Sequence, residues 1–186
     1  MLESLRPVEV DLKTKRFALR SLDGSHASER YVSWLNDPEV NRFLEVRHKN
    51  QTLDDVRRFI AGHDNINRFL VGIFDGDLHV GNFGIQLRRP HALAVLGTMI
   101  GDQDYWGQRV VLEARGRILD FLFDELPVEK VSGGCYQTHG TAIFNYKRQG
   151  WLVDGVRKAD RIDNGTRVDV IHFAMFREDW NARRDG

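Results

Sequence analysis

The chain has 186 residues, 41% of them hydrophobic and 29% charged, a length and balance that suit a single compact domain. Its 27 Lys and Arg offset 27 Asp and Glu, so no global field draws it to nucleic acid or to an anionic membrane surface. The only cysteine, Cys135, excludes an internal disulfide and a thiolate-rich metal site, and no apolar run reaches the roughly 18 residues a membrane span needs; a soluble, cytoplasmic chain is expected.

Residues 16–22, RFALRSL, alternate in the manner of a strand. The segment SHASERYVSWLNDPEV then sets Ala27, Tyr31, Trp34 and Leu35 on one helical face before Pro38 disrupts the pattern. A second helix opens in TLDDVRRFIAG, where Thr52 and Asp55 have capping-box spacing, Leu53, Val56 and Ile60 share a side, and Gly62 offers a stop. RFLVGIF and LHVGNFGIQL flank an Asp75-Gly76 hairpin signal; with no helix following, the glycines of the second segment read as a hairpin with a bulge. ALAVLGTMIG, residues 92–101, is apolar nearly throughout, which predicts a strand buried on both faces. The helix after Trp106 carries Val111, Ala114, Ile118 and Phe121 as a stripe and should turn Arg115, Asp120 and Asp124 to water. KVSGGCYQT is a further strand, TAIFNYKRQGW a short helix ended by Gly150, and the segment from Leu152 to Phe176 a hairpin around Asn164-Gly165.

A strand that ends at Gly101-Asp102 and feeds a helix near Trp106-Gly107 presents first-turn amides and the positive end of a helix dipole. The amides of Gly107, Gln108, Arg109, Val110 and Val111 are therefore candidate pyrophosphate donors, although every helix start has this geometry. His26, His48, His63, His79, His91 and His172 lack metal-ligand spacing, and no metal is expected. Cys135 reads as a small buried hydrophobe.

Several stretches, in their order and spacing, resemble the GNAT superfamily of N-acetyltransferases, in particular the branch of ribosomal-protein N-terminal acetyltransferases. They are LRSL before the first helix, WLNDPEVNRFLE at 34–45, HVGNFGI at 79–85, MIGDQDYWGQ at 99–108 with Glu113-Ala114 following, and AIFNYKRQGW at 142–151. The resemblance implies an α/β (α+β) fold with a mixed, mostly antiparallel central sheet of about seven strands and about four helices. A V-shaped split between the fourth and fifth strands would receive acetyl-coenzyme A (acetyl-CoA). It implies that Thr98, Met99 and Ile100 run along the pantetheine arm and that Trp106, Gly107, Gln108, Arg109, Val110 and Val111 hold the pyrophosphate. The backbone N–H of Met99 or Ile100 would face the developing oxyanion, and Tyr146 would protonate the departing thiolate.

The chain departs from the family's pattern in two places. Arg109 and Val111 occupy positions that the family keeps small. Either the amide donors persist and Arg109 adds a charge-assisted contact, or Val111 packs inward and the pocket holds the cofactor poorly. Ahead of Tyr146, where the family commonly shows an Asn and a Ser, stand His139 and Ala142. His139 reads either as a base, acting directly or through water, or as a helix cap, and Tyr146 also has the spacing of a core residue. The fifth strand carries no carboxylate, so Glu45 is the candidate base, with Arg42 and Arg47 beside it as acceptor contacts; the alternative is a solvated charge run. The expected reaction moves an acetyl group from acetyl-CoA to a primary amine of a small molecule, such as a nucleotide-linked amino sugar. The alternatives are the N-terminus of a protein as acceptor, or a non-catalytic acyl-CoA-binding module. Neither nucleic acid nor membrane is an expected partner, and the chain is read as monomer or homodimer.

Overall fold

The computed structural model describes residues 6–185. Its strands are β1 (Asp11–Lys13), β2 (Ala18–Ser21), β3 (Arg68–Asp75), β4 (Leu78–Arg88), β5 (Leu93–Ile100), β6 (Lys130–Tyr136), β7 (Leu152–Asp163) and β8 (Thr166–Phe176). Its helices are α1 (Glu29–Asn36), α2 (Pro38–Asn41), α3 (Leu53–Ala61), α4 (Val110–Asp120), α5 (Gly140–Arg148) and α6 (Arg177–Asp185). The strands form one sheet in the order β1-β2-β3-β4-β5-β6-β8-β7. Pairing is antiparallel for β1–β2, β2–β3, β3–β4, β6–β8 and β7–β8, and parallel for β5–β6. This is the mixed, mostly antiparallel sheet expected, with β1 as an additional strand. Three residues are too few to show a period of two, so β1 is visible only through its register with β2, Leu12 opposite Leu19.

The described residues gather into two compact units. One holds the chain up to Gln86 together with Thr98–Arg117; the other holds Leu87–Gly97 together with the chain from Ile118.

In the first unit, side-chain caps fix the helix starts. Ser28 accepts from the Tyr31 amide, so α1 begins at Glu29 and Ala27 lies outside it. Asp37 accepts from the amides of Glu39 and Val40, and Pro38 opens α2 rather than merely ending α1. Thr52 and Asp55 form the expected capping box of α3, with Gly62 at its C-cap. These caps aim Tyr31, Trp34, Leu35, Val56 and Ile60 at Leu22, Leu70, Phe74 and Met99, which together make a buried core. The β3–β4 hairpin carries the expected bulge: its register shifts between Ile73 and Phe74.

The second unit is built on β6, β8 and β7. The β7–β8 turn places Asn164 and Gly165 at φ of 48° and 78°, the left-handed pair that a two-residue hairpin demands. Helix α6, which the sequence pattern does not announce, is held by polar bonds: Trp180 Nε1 donates to Asp120 at 2.9 Å, and Arg184 pairs with Asp124 at 2.6 Å.

Two expectations are corrected. Strand β5 is not buried on both faces: Ala94, Leu96 and Met99 are buried, whereas Gly97 is exposed and Leu93, Val95, Thr98 and Ile100 are intermediate. Its pairing with β6 covers Leu93–Val95 against Lys130–Ser132. In α4 the buried stripe is Val110, Ala114 and Ile118, while Val111 is intermediate and Arg115 is only 2% exposed instead of facing water. Ala114, Ile118 and Phe121 of the predicted stripe are buried as expected; the difference is at its start, where Val110 rather than Val111 turns inward, and at Arg115, which falls one turn before buried Leu119. A five-residue π-turn, Phe121–Glu125, follows and buries Phe121, Leu122 and Phe123 in succession.

Candidate functional site

In the first unit the end of β5 and the start of α4 are joined by a loop that its own hydrogen bonds shape. The amides of Gly101 and Asp102 both donate to the Val80 carbonyl, at 3.0 and 3.1 Å. Trp106, 44% exposed, donates from Nε1 to the Ile100 carbonyl at 2.9 Å, and Gln108 Nε2 donates to the Asp104 carbonyl at 2.7 Å. The structure thus brings Thr98, Met99 and Ile100 together with Trp106, Gly107, Gln108, Arg109, Val110 and Val111. Met99 turns its side chain into the core, so only its backbone is available to a ligand.

The two unusual residues of the loop take different roles. Gly107 has φ +76°, where a side chain is costly, and a Cβ there would meet nothing within 4 Å. Arg109 adopts φ +60°, also in the left-handed region that glycine enters freely, and its side chain is exposed. Neither Arg109 nor Val111 is driven into the core; the buried residue of the turn is Val110, 2% exposed. Of the candidate amide donors, that of Gln108 is already committed to the Tyr105 carbonyl at 3.4 Å.

Sequence reasoning missed the clasp that fixes this helix start. Glu113 accepts from Thr14 Oγ1 at 2.7 Å, from the Arg16 amide at 2.8 Å and from Arg16 Nε at 2.8 Å, while Arg16 Nη2 donates to the Gln108 carbonyl at 2.8 Å. Burial works against the Glu113 charge, but the bonds from Thr14 and Arg16 outweigh it and hold its carboxyl below the ordinary carboxylate range. The partners lie almost a hundred residues apart, so no local pattern could pair them. Beside the loop is an open cleft of about 580 Å³, bounded by Arg30, Asp75, Leu78, Tyr105 and Gln108, with Asp102 and Asp104 in its lining. Its carboxylates are unsuited to a diphosphate.

Arg42, Glu45 and Arg47 also lie in the first unit. Arg42 follows α2, and Glu45 opens a short 3-10 turn, Glu45–His48. Arg47 Nη1 donates to the Arg42 carbonyl, and the Arg42 guanidinium sits 4.9 Å from the Phe43 ring centroid. Both arginines are thus engaged locally, and Glu45 is exposed.

In the second unit, α5 carries His139 and Tyr146. His139 occupies the N-cap position but its side chain makes no cap hydrogen bond; its carbonyl accepts from Ile143 at 3.1 Å. Tyr146 is 6% exposed, stacks on Phe173 at 4.5 Å and meets Trp151 edge-on at 5.0 Å. Its ring is therefore part of the core, and its hydroxyl is the informative part. A Cβ built on Gly133 would lie 2.4 Å from that oxygen, so the phenol rests against the bare backbone of β6. Gly133 is the first residue after the last β5–β6 rung, Val95 opposite Ser132. Tyr146 and His139 are seven residues apart, about 10 Å along a helix axis, so His139 does not adjoin the phenol through α5. Among the described residues no group of three His, Cys, Asp or Glu could hold a metal ion, and no helix is long and apolar enough to cross a membrane.

A sequence model of the acetyltransferase (GNAT) domain matches residues 16–149. No curated protein sequence matches the chain. Among solved structures it is similar to the spermidine N-acetyltransferase of Vibrio cholerae in complex with CoA and spermine, at TM-score 0.79 and 17% identity over 89% of this chain and 98% of that one. It is similar to the Salmonella typhimurium acetyl transferase that modifies the N-terminal serine of ribosomal protein L7/L12, at TM-score 0.76 and 16% identity over 88% and 96%. It is also similar to the microcin C7 self-immunity acetyltransferase in complex with acetyl-CoA and AMP, at TM-score 0.78 and 17% identity over 93% and 98%.

Proposed function

The chain belongs to the acetyltransferase (GNAT) family, and from that premise we propose that it acetylates the primary amine of a small molecule, such as a nucleotide-linked amino sugar. It is an acetyl-CoA-dependent N-acetyltransferase. The observation that carries the site assignment is the Tyr146 hydroxyl lying on Gly133 where the β5–β6 pairing stops.

Acetyl-CoA supplies an activated acetyl group as a thioester. Thr98, Met99 and Ile100 offer backbone groups to the pantetheine arm, and an N–H of Met99 or Ile100 serves the oxyanion. Trp106, Gly107, Gln108, Arg109, Val110 and Val111 hold the diphosphate, mainly through amides at the start of α4, with the Arg109 charge added. Tyr146 gives its phenolic proton to the leaving sulfur, a thiol of ordinary pKa about 8.5. Glu45 and His139 are candidates for the proton acceptor, and Arg42 and Arg47 flank the acceptor side.

The balanced net charge favours a small acceptor over a strongly acidic or basic macromolecule. The complex of the microcin immunity enzyme with AMP agrees with an acceptor that carries a nucleotide. The likeness to the ribosomal-protein enzyme supports a second reading, acetylation of a protein N-terminus. A panel of nucleotide-linked amino sugars, spermidine and peptides with N-terminal serine, read by release of free thiol, separates the two. Turnover with an amino-sugar nucleotide is expected. Turnover confined to the peptides moves the acceptor to a protein, and binding of acetyl-CoA without turnover of any amine leaves a non-catalytic module.

A further inference from the structure

We propose that His172 takes the proton from the acceptor's ammonium group, with the amine lying in a glycine-lined trough on the second unit's sheet. The proposal rests on the N-acetyltransferase reading and assigns the proton acceptor that β6 itself does not carry. In β8, His172 stands opposite Gly134 of β6 on one side and Gly155 of β7 on the other. One rung of three strands is thus Gly–His–Gly, with the imidazole as its only side chain. The ring leans over Gly134: Nδ1 lies 3.2 Å, and Cε1 3.4 Å, from where a Cβ on that exposed glycine would stand. Beside Gly155 a Cβ would meet nothing within 4 Å, so the trough continues on that side.

One nitrogen of the His172 ring is left without a protein partner among the described residues. That atom, Nε2, is shielded from solvent, and native proteins nearly always satisfy such atoms. Its place relative to Tyr146 suits acetyl transfer. Successive strand residues point to opposite faces, and the phenol rests on Gly133 while the imidazole rests on Gly134. The acid for the sulfur and the acceptor for the nitrogen's proton therefore flank the same β6 backbone from its two faces, at adjoining Cα atoms about 3.8 Å apart. The charged groups on the His172 face are the Lys130–Asp154 pair, joined at 2.8 Å, and Arg157, whose register partner is Val170.

In the step proposed, the ammonium gives one proton to His172 Nδ1, and the freed amine attacks the thioester carbonyl. The C–N bond forms as the C–S bond breaks. The sulfur takes a proton from the Tyr146 phenol, the nitrogen's second proton leaves to water, and water restores the phenol. The net proton released is the one carried by the imidazole.

The test uses the full chain with acetyl-CoA and two simple acceptors, hexylamine and spermidine, read by thiol release across pH. H172Q and H172A are expected to lose kcat by about a hundredfold or more, with the KM for acetyl-CoA unchanged. Added imidazole should restore part of the H172A rate. Variants as fast as the parent at every pH, or an H172A defect that imidazole leaves untouched, would overturn the proposal. If the parent turns over neither amine, the 15N signal of the His172 ring is followed as hexylamine is added to the CoA-loaded protein. A shift at Nδ1 is expected, and an unmoved signal overturns the proposal while acetyl-CoA binding stands.

Discussion

Arg109 shows how a single residue can be conspicuous in a sequence for the wrong reason. In the sequence it looks like bulk at a position that the GNAT pattern keeps small, and crowding is the natural worry. In the structure its side chain is exposed, and the cost lies in the backbone, held at φ +60°. A non-glycine residue there gives up about 1 kcal/mol relative to glycine, partly offset by the greater unfolded-state freedom of glycine. Arg109→Gly is therefore expected to raise the stability of the chain by about 0.5 kcal/mol, read as a higher urea midpoint at unchanged slope. A lower midpoint would mean that the Arg109 side chain makes a stabilising contact that outweighs the strain. At this scale the sequence named candidates and was silent about conformation. Tyr146, Trp106 and Gly107 were legible as candidates, whereas the Thr14–Arg16–Glu113 clasp and the posture of His172 depend on partners distant along the chain.

At the scale of elements, the meeting of α5 with β6 makes the sharpest demand on sequence. Gly133 admits the Tyr146 hydroxyl, and a methyl group there would sit 2.4 Å from it. Gly133→Ala is expected to cost about 1–3 kcal/mol by overpacking and to lower turnover by displacing the phenol. Tyr146→Phe should lower turnover at least about tenfold with little change in acetyl-CoA affinity. The double variant should be more stable than the sum of the single effects predicts, because removing the oxygen makes room for the methyl; strict additivity would show that the two groups do not meet.

A second contact between elements joins α1 to β4 through His79. Its ring stacks on Phe74 at 5.0 Å, lies 5.6 and 5.1 Å from Tyr31 and Trp34, and makes a 2.9 Å bond with the Gly81 carbonyl. Burial pushes the imidazole down from 6.5 to about 4, against the opposing effect of the Gly81 bond. Between those two values the unfolded chain binds the proton and the folded chain does not, so stability falls as pH drops through this window. From pH 7 to pH 5 the parent should lose about 2 kcal/mol more than His79→Phe does, measured as the difference between their urea-derived stabilities. Equal losses would show that the folded imidazole titrates as it does in the unfolded chain. The helices and hairpins themselves were mostly legible because caps and turns are local chemistry: Thr52, Asp75-Gly76 and Asn164-Gly165 act within a few residues of themselves. The α4 stripe was legible at Ala114, Ile118 and Phe121 but not at its start, because adjacent valines at 110 and 111 fit it equally and burial decides between them. Helix α6 was missed because it is fixed by Trp180 and Arg184 bonding to distant acids rather than by an apolar face.

For the molecule as a whole, the order of elements carried the fold, and the sheet it predicted differs from the observed one only at its first short strand. The acceptor was less legible, since selectivity for an amine arises from side chains scattered along the chain. The central proposal is that acetyl-CoA is gripped chiefly by its diphosphate at the first turn of α4. Thermal unfolding with acetyl-CoA, set beside S-acetylpantetheine, which lacks the diphosphate, tests that claim most directly. At a hundredfold excess over its dissociation constant acetyl-CoA should add about 2.7 kcal/mol, a rise of roughly 5–10 °C for a chain of this size. S-acetylpantetheine at the same concentration should shift the midpoint far less. Equal shifts from the two compounds, or none from acetyl-CoA, would contradict the account.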